Sequence, residues 1–172
     1  MVCSSALKKL SSSEDLLHTW KQWRCCIHGS RVIKMNSKKF LFFHKVDIVY
    51  NVRVVSDTRR WVVPFTFNDF RHLHEELMKI AHNNKQFQDA ITNFPLPREH
   101  LFNRRDMLVI KGMCGTLEHY LVNVLRYCQK MTGDDMEQMA KVLQNYLGPP
   151  QCTSDPLSRH TRNALIAKTK LI

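Results

Sequence analysis

Every second residue from Val46 to Val54 is apolar (Val46, Ile48, Tyr50, Val52, Val54), with Asp47, Asn51 and Arg53 between them. A period of two marks a half-buried strand, because successive side chains point to opposite faces of a sheet. The strand-like period sets in at Arg31 and takes in the short apolar run Phe40-Leu-Phe-Phe43. Ser56-Asp57-Thr58 has the composition of a hairpin turn, and Trp61-Val62-Val63 is the returning strand. Pro64 lacks an N–H, which puts that strand at a sheet edge or a bulge.

Helical spacing follows. A helix is expected from about Asn68, capped by Asn68 or Asp69, with Phe70, Leu73, Leu77 and Ile80 on one face. Asn83-Asn84 ends it, and a short segment with Phe87 and Ile91 comes next. Phe94-Pro-Leu-Pro97 must be extended, since proline fixes its own φ and restricts its predecessor. Beyond a polar loop over 98–106, a helix starting near Met107 carries Leu117, Leu121, Val124 and Leu125. Gly133-Asp-Asp135 opens the last helix, whose stripe is Met136, Met139, Val142, Leu143 and Tyr146, and Gly148-Pro-Pro150 stops it.

At the other end, Ser11 and Glu14 fit a capping box, and Leu16, Leu17, Trp20, Trp23 and Ile27 follow helical spacing up to Gly29. They predict a basic amphipathic helix that docks on the domain or lies in a membrane interface. The expected organisation is a leader over 1–29, one domain over 30–148 and a basic tail over 149–172.

Charge sharpens the picture. The formal net charge is +11, and residues 31–67 alone hold a balance of +6. Such asymmetry suits an anionic partner: a lipid surface, an acidic protein or nucleic acid. No apolar run approaches the roughly 20 residues of a membrane-spanning helix, and Met1–Ser13 has no secretory pattern. The chain is therefore expected on the cytosolic side. Its six cysteines include no Cys-x-x-Cys pair, so reduced thiols and no zinc site are expected. Acylation of Cys3 or Cys25-Cys26 would add membrane affinity.

Two blocks carry a resemblance. Asn68-Asp69-Phe70, four residues ahead of His74-Glu-Glu-Leu77, and Leu117-Glu-His-Tyr-Leu121 resemble motifs of the PX (phox homology) domain. The order of strands, helix, proline-rich crossover and further helices resembles that family over about residues 30–148. The resemblance implies an α+β fold, a small three-stranded antiparallel sheet packed against a helical subdomain. It also implies docking on phosphoinositide-bearing membranes, peripherally on endosomal or other cytosol-facing surfaces, for targeting or sorting.

The family's pocket uses arginines because their planar fork meets phosphate oxygens. Here the position ahead of the stacking aromatic is Thr66, and the aromatic is Phe67. The family's later arginine falls on Met113, with Lys111 nearby, while its cation after the prolines is matched by Arg98. At about 1.5–3 kcal/mol per charge-assisted bond, losing two weakens headgroup binding by several orders of magnitude. Arg71 and Arg104-Arg105 are candidates for a relocated cationic site, and Leu101-Phe102 for shallow membrane insertion.

Other constellations carry less. Gly112-Met-Cys-Gly115 matches the loop of KH modules only by spacing, and on the PX reading the glycines serve close helix–sheet packing or a frayed helix start. His72 and His74 lie on different helix faces, Cys114 and His119 are loosely spaced for a nucleophile and base, and no hydrolase or phosphate-loop motif occurs. The expectation is no enzyme, no cofactor and no nucleic-acid partner. The alternative to lipid binding is a protein–protein interaction module that keeps the scaffold and has lost the lipid site.

Overall fold

The computed structural model describes residues 20–35, 45–99, 106–133 and 135–149. A 3-10 turn over Trp20–Gln22 leads into β1 (Arg24–Met35), which pairs antiparallel with β2 (Lys45–Val55). The turn at Ser56, closed by Ser56 N donating to Arg59 O at 2.9 Å, returns the chain as β3 (Arg60–Thr66). Strand order is β1-β2-β3, so β1 and β3 are both edges, and Pro64 sits on one of them as expected. Four helices follow: α1 (Phe67–Ala81), α2 (Lys85–Asn93), α3 (Met107–Lys130) and α4 (Asp135–Leu147). The fold is α+β.

The register divides the sheet into two faces. Cys25, Ile27, Tyr50, Val52, Val54, Trp61, Val63 and Phe65 are paired across strands on the inner face. There Val52, Val54 and Phe65 reach 0% exposure against Phe70 and Leu73 of α1, Leu117 of α3 and Leu143 of α4. Burying each such side chain contributes about 1.5–3 kcal/mol, so this one cluster holds sheet and helices together.

Three expectations are corrected. No helix fills the described part of the leader; Ser11–Glu14 and Leu16–Leu17 lie outside the described residues, and Arg24–Met35 is a strand that crosses the expected boundary at residue 29. Trp20, Trp23 and Ile27 share helical spacing by coincidence. Both tryptophans are buried in the core, and the backbone there has distant partners. The Gln129 amide donates to Trp20 O and Trp23 O at 3.1 and 2.8 Å, and Ile27 N donates to the Glu118 carboxylate at 2.6 Å. Gly29 follows a β-bulge after Ile27 and does not end a helix.

The second correction concerns α1, which starts one residue early, with its cap two residues ahead of Asn68. Thr66 is its cap: the Thr66 hydroxyl accepts from Asp69 N, and Thr66 N donates to the Asp69 carboxylate, a reciprocal capping box. The third concerns Gly112 and Gly115. Both lie exposed within regular α3 turns, and a Cβ at either would meet nothing within 4 Å. Neither a KH loop nor close packing accounts for them. Elsewhere the elements match: Asn84 ends the first helix region and caps α2, and Asp106 caps α3 by accepting from Leu108 N at 2.8 Å.

Candidate membrane-contact site

Thr66 and Phe67, the residues expected at the headgroup pocket, stand where β3 passes into α1. The Thr66 hydroxyl has a single proton, and it is donated to Asp69 Oδ2 at 2.9 Å; Asp69 N donates back to Thr66 Oγ1 at 3.3 Å. The side chain that stands where a phosphate arginine was expected is therefore engaged in the cap. An open helix N-terminus attracts anions, but here the Asp69 carboxylate already occupies it. An incoming phosphate meets a like charge. Phe67, the first residue of α1, is half-buried and packs against the core.

The described cations stand on three separate elements. Arg71 is exposed on α1, donates to Asn68 Oδ1 and stands 3.8 Å from the Glu75 carboxylate. Such an exposed pair contributes well under about 1 kcal/mol, but it lowers the charge Arg71 offers outward. Arg98 is exposed in the extended segment after Pro97 and has no partner among the described residues. Met113 is 6% exposed and belongs to the core, while Lys111 is exposed. Two residues along a helix turn it by about 200°, so Lys111 points away from the direction Met113 takes. Leu101, Phe102, Arg104 and Arg105 lie outside the described residues.

A second apolar pair adjoins that loop. Met107 is 62% exposed and Leu108 is 78% exposed, at the first turn of α3. The sequence held a signal for them. The signal is clear for Leu108, which falls on the side of α3 opposite the buried stripe of Ile110, Met113 and Leu117; Met107, three residues ahead of Ile110, keeps the stripe's spacing and is nonetheless exposed at the helix's first position. No helix among the described residues is long and apolar enough to cross a membrane.

The motif Leu117-Glu-His-Tyr-Leu121 acquires physical roles. Leu117 and Leu121 are core, and Glu118 receives the Ile27 amide of β1. Tyr120 and His74 share a 3.0 Å hydrogen bond that ties α3 to α1. Burial lowers the pKa of half-buried His74, with Glu75 opposing, and burial raises that of Tyr120 above its ordinary value. Both groups are thus neutral partners at neutral pH. His119 is exposed and bonded to Asn123, in no arrangement with Cys114. Cys25 is half-buried on the inner face, where burial first, then Cys26 and Glu118, push its thiol up to about 12.

The PX domain family model matches residues 53–159. The match opens within β2, whereas the folded sheet already begins at Arg24. No curated protein sequence matches the chain.

Proposed function

The chain belongs to the PX domain family, whose members bind phosphoinositides for membrane targeting, and we propose that it is a peripheral membrane-association module with a weakened headgroup pocket. The observation that carries this reading is the exposed pair Met107-Leu108, at 62% and 78%, at the first turn of α3, with exposed Lys111 one turn further along that helix and exposed Arg98 nine residues earlier in the sequence. Immersing both apolar side chains contributes about 1.5–3 kcal/mol each. Every basic residue brought to an anionic surface adds about 1 kcal/mol. Phe67 forms the floor of the headgroup pocket and Arg98 meets phosphate, while Lys111, Arg71, Arg104 and Arg105 contribute field and Leu101-Phe102 join the insertion. Recruitment is electrostatic with shallow insertion, without chemistry, on endosomal or other cytosol-facing membranes, and does not involve nucleic acid.

The second reading, a protein-interaction module on the same scaffold, is favoured by the engaged Thr66 hydroxyl and the buried Met113. Co-sedimentation with vesicles carrying each phosphoinositide, at low and physiological salt, separates the two. Binding that selects a headgroup, persists in salt and falls with Arg98→Ala supports a working pocket. Binding that follows total charge, vanishes with salt and falls with Met107→Ser/Leu108→Ser leaves a basic, inserting surface. No sedimentation with any vesicle overturns the membrane reading.

A further inference from the structure

The outer face of the sheet carries a cation cluster that the membrane reading does not use. Register places Arg24, Val55 and Arg60 in one row across the three strands, and Cys26, Arg53 and Val62 in the next row on the same face. At the usual strand spacing and pleat repeat, Arg53 stands about 8 Å from each of the other two, and Arg24 and Arg60 stand about 10 Å apart. None of the three makes an ion pair or hydrogen bond through its side chain among the described residues. Val62, at 47% exposure, lies among them. The helices pack on the opposite face, where the core is.

Three guanidinium groups without partners among the described residues suit several anions at sheet spacing. We propose that this face docks an acidic, extended segment of a partner protein in which carboxylates alternate with aliphatic side chains. Arginine forks take carboxylates bidentately, and carboxylates at every second position share one face of an extended chain at about 6.7 Å, the pleat repeat of the sheet below, while the aliphatic residues between them turn to the other face.

Position argues for protein and against lipid. The Gln129 amide binds Trp20 O and Trp23 O, so the C-terminal end of α3 lies at the Arg24 end of β1. Met107 lies about 33 Å away along the same helix. The arginines also face away from the helical layer. A bilayer that takes Met107-Leu108 at one end therefore leaves the arginine face free to hold a second molecule. Only this choice between lipid and protein rests on the membrane reading.

The test uses a fluorescein-labelled decapeptide of alternating glutamate and valine, titrated by anisotropy with the whole chain and with the triple variant Arg24→Gln/Arg53→Gln/Arg60→Gln. Loss of about tenfold or more in affinity is expected, the sum of three exposed charge contacts. Arg71→Gln/Arg98→Gln is expected to leave peptide binding unchanged. A triple Arg→Lys variant, which keeps charge and solubility, is expected to fall between wild type and the glutamine variant. Vesicles of phosphatidylcholine with phosphatidylserine and a 3-phosphoinositide should bind the triple glutamine variant as they bind wild type. Peptide binding that is absent, or equal in the triple glutamine variant, overturns the proposal, as does vesicle binding lost in that variant while the peptide still binds. If vesicles fail to bind any form and the peptide is lost only in the triple variant, the membrane reading falls and the acidic-segment site stands.

Discussion

The Glu118 carboxylate accepts the Ile27 amide at 2.6 Å across 91 residues of sequence, joining the middle of α3 to β1 where that strand bulges. The bulge displaces a register, and the carboxylate satisfies a donor there. Glu118→Ala is expected to lower unfolding free energy by about 1 kcal/mol, the cost of leaving a half-buried donor unmade. Glu118→Gln, which keeps an acceptor without charge, is expected to lose less. Urea titration followed by tryptophan fluorescence reads both; an alanine variant as stable as wild type refutes the role.

Thr66 is expected to show opposed effects. Thr66→Arg removes the cap of α1 and costs about 1 kcal/mol of stability. The same change puts a fork beside Phe67 and is expected to raise affinity for 3-phosphoinositide vesicles. Thermal unfolding and co-sedimentation of one variant check both signs, and a stabilised protein or a weaker binder would contradict the account.

Gly112→Ala and Gly115→Ala are expected to stabilise the chain by about 0.5–1 kcal/mol each, because both are mid-helix, exposed and clear of neighbours. Gly148→Ala is expected to destabilise, since its Cβ would stand 2.3 Å from the Gln144 carbonyl oxygen. Comparing the three melting temperatures tests the contrast directly.

His74 gives a pH dependence with a definite sign. Its folded pKa is lowered from 6.5 by burial, so the neutral ring is favoured in the folded chain. The corresponding stability is present above 6.5 and is lost as pH falls through the folded value. Melting temperatures of wild type and His74→Gln over roughly pH 7.5 to 5 should diverge at the acid end, with the variant flatter. Parallel curves would refute it.

Cys25 and Cys128, whose thiols burial pushes up to about 12, are expected to resist iodoacetamide in the folded protein and react on unfolding. Mass spectrometry after timed alkylation reads this residue by residue.

Much of this fold was legible in local pattern. Alternation around Tyr50 found β2, the Ser56–Thr58 composition found the hairpin, and the Leu117–Leu125 spacing found α3. What local pattern misses is decided at a distance. Trp20, Trp23 and Ile27 are spaced as on a helix, but Gln129 and Glu118 supply the partners that make the segment a turn and a strand. The site was half legible for the same reason. The sequence shows that Thr66 is not arginine, yet only the fold shows its hydroxyl held by Asp69 and Arg71 drawn toward Glu75.

A three-stranded sheet ends in two edge strands, and edge strands invite other chains to extend a sheet into a ribbon. Here β3 surrenders a donor at Pro64, and the bulge after Ile27 breaks the even ladder of β1. Each margin thus carries an obstacle to a fourth strand. A chain gathered on a membrane, as proposed, is thereby hindered from polymerising through these two strands.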